Sequence, residues 1–142
     1  MTDTLPSGAT IGILGGGQLG RMLSVAAARL GVKTVIFEPG GDCPASHVAQ
    51  RHIQADYTDE DALRRFAEAV DVITYEFENI PTAALDLLEK LCPVRPDRRA
   101  LRVSQDRLLE KAFLSDLGLM TAPFAAVDDA VEPVLPTDDQ PL

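Results

Sequence analysis

Residues 11–23 constrain the fold more than any other stretch of this chain. They read Ile-Gly-Ile-Leu-Gly-Gly-Gly-Gln-Leu-Gly-Arg-Met-Leu. A short apolar run, Thr10–Leu14, has the composition of a buried strand. It enters three consecutive glycines, Gly15, Gly16 and Gly17, and a fourth follows at Gly20. Beyond Gln18 the period changes. Leu19, Met22, Leu23, Ala26, Ala27 and Leu30 recur at helical spacing and share one face, and Gly31 ends the pattern. Strand, glycine turn and helix in this order are the start of a nucleotide-binding βα unit. The helix N-terminus offers free N–H groups and partial positive charge to an anion. The same turn also serves as a tight strand–helix connection with no ligand.

The pattern repeats downstream. Lys33–Phe37 reads as a second strand and His52–Ala55 as a short third. Thr58 is the expected cap of a helix carrying Leu63, Phe66, Ala67 and Val70. Asp71–Tyr75 is a fourth strand, and Pro81 and Thr82 open a helix through about Leu91, with Leu85, Leu88 and Leu91 inward. Val94 is placed in a short fifth strand. Ser104 is the expected cap of a last helix bearing Leu109, Ala112, Phe113 and Leu117. Alternation at this spacing predicts an α/β fold: a Rossmann-like parallel sheet with helices on both faces. The domain is expected over residues 9–127. Residues 128–142 read as an acidic, Pro-rich tail or linker.

Charge narrows the partners. The formal net charge is −9, with 22 acids and 13 bases over 142 residues. Five of the acids (Asp128, Asp129, Glu132, Asp138 and Asp139) fall in the last 22 residues, which hold no Lys or Arg; without them the balance is 17 to 13, or −4. Trp is absent. Both features argue against nucleic acid as a partner. Cys43 and Cys92 lie far apart and read as unpaired thiols of a reducing compartment. No basic, apolar leader opens the chain, and no apolar run approaches the ~18 residues of a membrane span. A cytoplasmic protein without membrane association is the expectation.

Ligands of an open α/β sheet bind beyond the carboxyl ends of its strands. Three features are expected there: the glycine loop, Glu38, and the segment Tyr75-Glu-Phe-Glu-Asn-Ile-Pro81. Glu38 lies 18 residues after Gly20, where an acid in a dinucleotide domain holds a ribose hydroxyl. An NAD- or FAD-binding oxidoreductase domain is therefore one reading, and a non-catalytic ligand-binding module another. Gln18 and Arg21, long and polar at the helix start, fit the dinucleotide reading less well. Glu76 and Glu78 form either a solvated acidic loop or one wall of a cavity for hydroxyls or an amine; substrate binding by Glu76 is preferred. His47 and His52 lack metal-ligand spacing and read as surface or packing residues. Arg95, Arg98, Arg99 and Arg102 read as a solvated basic face. Arg107 and Lys111 share a helix face, exposed or turned to a polyphosphate.

Gly15-Gly-Gly-Gln-Leu-Gly-Arg-Met-Leu23 and Thr74-Tyr-Glu-Phe-Glu-Asn-Ile-Pro81, with Ala55-Asp-Tyr-Thr-Asp59, Gln105-Asp-Arg-Leu-Leu-Glu-Lys111 and Leu117-Gly-Leu-Met-Thr-Ala-Pro123, carry a resemblance. Over about residues 9–128 the chain resembles the N-terminal part of the 5-(carboxyamino)imidazole ribonucleotide synthase family. These are the ATPase subunits of phosphoribosylaminoimidazole carboxylase, in the ATP-grasp superfamily. The resemblance implies a pre-ATP-grasp domain of a purine-biosynthesis ligase. Such a ligase joins bicarbonate to the amine of 5-aminoimidazole ribonucleotide at the expense of ATP, with Mg²⁺, through carboxyphosphate. It further implies ribonucleotide contacts at Gly17, Gln18, Leu19 and Glu76, an ATP contact at Arg107, and a homodimer for the full-length protein. It implies no catalytic residue or metal ligand in this chain. The ATP-grasp fold that should follow is not within these 142 residues, so the chain is expected to be the N-terminal domain and inactive alone.

Overall fold

Four strands run parallel in the order β3-β2-β1-β4. They are β1 (Thr10–Leu14), β2 (Lys33–Phe37), β3 (Arg51–Ile53) and β4 (Val72–Tyr75). A computed structural model of the chain describes residues 4–126, and the expected acidic tail lies outside the described residues. The helix α1 (Gln18–Arg29) links β1 to β2, and α2 (Glu60–Glu68) links β3 to β4. The chain steps outward from β1 through β2 to β3, then returns to the other side of β1. The reversal of strand order falls between β1 and β4, which is where α/β sheets open a crevice for ligands. Leu14 is level with both Phe37 and Tyr75. The next residues, Gly15, Glu38 and Glu76, therefore sit together along the carboxyl edge of the sheet.

The two faces of the sheet differ. Leu14, Val35, Phe37 and Ile73 pack with Leu63 and Phe66 of α2 and with Leu85 and Leu88 of α3 (Thr82–Leu88) in the main core. Ile13 and Ile36 point the other way, into a smaller cluster with Cys43 and Ala45. Helix α1 lies on this second face, and the structure corrects the orientation its apolar residues suggest. The residues it buries are Gly20, Ser24 and Ala27, whereas Leu19, Met22, Leu23 and Leu30 are exposed. Close packing explains the choice: a Cβ at Gly20 would stand 2.9 Å from the Gly15 carbonyl oxygen and 3.4 Å from the Ala45 methyl group. Only small side chains fit between helix and sheet at that separation. The Ser24 hydroxyl is buried with no hydrogen-bond partner among the described residues.

Two expected caps shift, for a visible reason in each case. The Thr58 hydroxyl and N–H both donate to Asp56 Oδ1. Asp59 is the cap of α2 instead, its Oδ1 accepting from the Ala62 N–H at 2.9 Å. Ser104 does not cap the last helix. It ends an unforeseen helix, α4 (Arg98–Ser104), and its hydroxyl donates to the Leu101 carbonyl. Asp106 caps α5 (Arg107–Asp116), accepting from the Leu108 and Leu109 N–H groups. Asp59→Ala is expected to cost about 1 kcal/mol and Thr58→Ala less, because only the former frees a helix N–H. Urea melts check the order, and a larger loss for Thr58→Ala would overturn this capping assignment.

The third helix stops at Leu88, so Leu91 lies beyond it and is exposed. Helix α5 buries none of its residues; Leu109, and Leu117 just after it, are exposed. Val94 forms an isolated bridge to Ile73, not a strand. Pro93 and Pro96 flank it, and neither can donate the N–H that a longer ladder needs.

Candidate functional site

The loop between β1 and α1 is built around two carboxylates of the chain itself. Glu76, first residue past β4, accepts from the Gly17 N–H through Oε1 at 2.8 Å and from the Gly20 N–H through Oε2 at 3.2 Å. Glu38, first residue past β2, accepts from the Gly16 N–H at 3.0 Å and from the Gly40 N–H at 3.1 Å. The anion foreseen at this helix N-terminus is thus internal. A dinucleotide pyrophosphate at the same amides would have to displace both carboxylates. Glu38 bends back onto the loop, one oxygen on the Gly16 N–H and the other on that of Gly40. This arrangement disfavours the oxidoreductase reading.

Glu76 lines three cavities, one of which also touches the glycine loop. The first, of about 490 Å³, lies between Tyr75–Asn79 and the α4–α5 junction, where Ser104, Gln105, Arg107 and Glu110 form the opposite wall. The second, about 530 Å³, opens on the Glu38 side and includes Gly17, Tyr57 and Phe77. The third, about 480 Å³, is a more apolar groove formed by Leu19, Met22, Leu23, Ala26, Tyr75 and Glu76. Tyr57 is held by rings on either side, with centroids 5.5 Å from Phe37 and 6.0 Å from Phe77. Burial pushes its hydroxyl well above the usual tyrosine range, and the nearby Glu38 and Glu76 charges add to the shift. Tyr57 therefore stays a neutral hydroxyl at any physiological pH.

The structure brings most of the expected site residues together. Gly17 is hydrogen-bonded to Glu76, Leu19 shares a groove with it, and Arg107 shares the first cleft with it. Gln18 is exposed as the first residue of α1. Arg107, the first residue of α5, is largely exposed and paired with Glu110. Lys111 turns away from this cleft, donating to the Ala122 carbonyl and lying 5.2 Å from the Phe124 ring centre. His47 pairs with Asp42, and His52 bonds the Glu38 carbonyl. The basic run is partly structural: Arg98 bridges Asp86 and Glu89, fastening α4 to α3 and its end. Sequence reasoning missed Gln105, whose side chain reaches back to the loop after Glu76; nothing local marks it, because its partners lie 25 and 27 residues upstream.

Among the described residues no group of three or more His, Cys, Asp or Glu side chains converges as a metal site. No described helix is long and apolar enough to cross a membrane.

Known proteins resemble this chain in sequence and fold. An N5-carboxyaminoimidazole ribonucleotide synthase of Brucella melitensis is 56% identical over 126 residues, 89% of this chain and 35% of the relative. The Staphylococcus aureus N5-carboxyaminoimidazole synthetase complexed with ADP superposes with a TM-score of 0.79 at 46% identity, over 87% of this chain and 33% of that one. The Aspergillus clavatus synthase, in complex with ADP and 5-aminoimidazole ribonucleotide, superposes with a TM-score of 0.69 at 31% identity, over 79% of this chain and 30% of that one. The chain thus spans about a third of the length of the relatives it matches. The family model of the ribonucleotide synthetase preATP-grasp domain covers residues 8–105, the whole sheet and both carboxylates of the loop, and the chain belongs to that family.

Proposed function

We propose that this chain supplies the ribonucleotide-binding part of a cytoplasmic ATP-grasp ligase of purine biosynthesis. The reaction is carboxylation of 5-aminoimidazole ribonucleotide with bicarbonate and ATP. A bicarbonate oxygen attacks the γ-phosphorus, giving carboxyphosphate and ADP. The ribonucleotide's amine then takes the carboxyl carbon, and phosphate leaves. The full-length protein is a homodimer in this reading.

The observation that carries the reading is the state of Glu76. Each of its oxygens accepts one backbone N–H, which leaves each a lone pair for a donor from outside. The carboxylate is thereby fixed before a ligand arrives, at the strand-order reversal where ligands of such sheets bind. Ribose hydroxyls or an amine suit it; a phosphate does not. Gly17 then acts by holding Glu76, while Gln18 and Leu19 meet the same ligand from the start of α1. Arg107, across the cleft, offers its guanidinium to the polyphosphate of ATP. ATP brings Mg²⁺ to neutralise its phosphates; the described residues offer no site for that ion, and no step assigned to this chain runs through it.

Titration with 5-aminoimidazole ribonucleotide tests the reading by amide NMR. Shifts at Gly17, Leu19 and Glu76 are expected, with an affinity of about 1 mM, near 4 kcal/mol. NAD should leave these signals unmoved. Silence toward the ribonucleotide, or saturation by NAD, would overturn the proposal.

A further inference from the structure

The loop carrying Glu76 is tied down from one point. The Gln105 carboxamide nitrogen donates to the Glu78 carbonyl at 2.7 Å and to the Ile80 carbonyl at 3.1 Å. Gln105 is the residue between α4 and the cap of α5: it follows Ser104, and Asp106 follows it. Its own N–H continues the α4 ladder to the Leu101 carbonyl at 3.0 Å. Helix α4 is a firm base for such a contact. Leu101 is buried in the main core, Arg98 is paired with Asp86 and Glu89, and the Tyr75 hydroxyl donates to the Asp97 carbonyl. The two carbonyls lie two and four residues past Glu76. One side chain thus connects the wall bearing Glu76 to the wall bearing Arg107 in the same cleft.

We infer that Gln105 is a positioning residue: its carboxamide latches the Glu78–Ile80 backbone to α4, fixing Glu76 on its two amides and setting the cleft between Glu76 and Arg107. Two donated N–H bonds are what the contact requires, so the identity of the group matters as well as its size. Glutamate at this position would present oxygens to carbonyl oxygens, and methionine would present no donor. Lysine keeps donors at similar reach. This inference rests on the ribonucleotide reading only for what the cleft binds, and the latch itself is tested without any ligand.

Hydrogen exchange on the 142-residue chain is the experiment, with the variants Gln105→Glu, Gln105→Met and Gln105→Lys. In the Glu and Met variants the Gly17 and Gly20 amides, which Glu76 holds, should exchange about tenfold faster. Phe66 and Ala67 in α2 should keep their wild-type rates, and Gln105→Lys should restore those of Gly17 and Gly20. If Gln105→Glu does not fold, the comparison of Met with Lys decides. Unchanged rates at Gly17 and Gly20 overturn the latch. So does acceleration shared equally by α2, which marks general destabilisation, and so does a Lys variant that behaves like Met. A separate ribonucleotide titration of the wild-type chain fails only if the ligand assignment is wrong, so the two failures are distinguishable.

Discussion

Glu76→Ala is expected to weaken 5-aminoimidazole ribonucleotide binding about 100-fold, near 2.7 kcal/mol, as loss of charge-assisted hydrogen bonds from one carboxylate implies. The same substitution acts inside the protein. It leaves the Gly17 and Gly20 N–H groups without their acceptor, and Gly20 is buried. An unsatisfied buried donor costs about 1–3 kcal/mol. Affinity and stability therefore both fall, and their separation is the real test. Formate is small enough to enter the space left by the side chain and to accept from the same two amides. It should recover much of the melting temperature of Glu76→Ala and leave the wild type unchanged. It should not recover ribonucleotide affinity, because a loose ion lacks the fixed orientation that the covalent side chain provides. Calorimetric titration and thermal melts together check this. A variant that loses stability yet keeps its ribonucleotide affinity would reduce Glu76 to an internal cap of α1 and sink its role in binding.

The carboxyl edge of the sheet was legible in the sequence because β1, β2 and β4 are short, largely apolar runs, each stopped by a residue of different character. Gly15, Glu38 and Glu76 follow such runs, and parallel pairing in register makes them neighbours. The direction in which Glu38 turns was not legible. Its distance from the glycine loop suits a ribose contact, but whether a carboxylate faces outward or back onto N–H groups depends on loop geometry that spacing does not encode. The orientation of α1 failed for a related reason. Hydrophobic periodicity assumes that the largest apolar residues go inward, while here the approach of helix to sheet admits only Gly20, Ser24 and Ala27. Those three positions, at i, i+4 and i+7, were the signal available. Helix α4 left little trace because only Leu101 of its seven residues is buried. Thr58 and Asp59 are both competent caps, and a neighbour, Asp56, decided between them. The latch by Gln105 is a contact across 25–27 residues, outside anything a local pattern reports.

Gly15→Ala is expected to be the most damaging single-methyl change in the site. Gly15 has φ +105°, a region that residues with a Cβ avoid, and its N–H is bonded to the Phe37 carbonyl at 3.0 Å. Holding a non-glycine residue in sparsely populated backbone space costs about 1–3 kcal/mol. The added methyl would also stand 2.4 Å from Glu76 Cγ and 2.9 Å from Phe77 Cδ1, and such overpacking costs about 1–3 kcal/mol more. The sum, roughly 2–6 kcal/mol, is a large part of the stability of an ordinary domain. Gly31→Ala separates the two contributions: Gly31 has φ +71°, but nothing lies within 4 Å of where its Cβ would be. That variant should show backbone strain alone, about 1 kcal/mol in the left-handed region. Urea midpoints should therefore fall in the order wild type, Gly31→Ala, Gly15→Ala. In whatever fraction of Gly15→Ala remains folded, the methyl group must push Glu76 off Gly17 and Gly20, so ribonucleotide affinity should fall as well, while Gly31→Ala keeps it. Equal midpoints for the two variants would mean that Glu76 yields without cost, and the rigid carboxylate on which the proposed site depends would be ruled out.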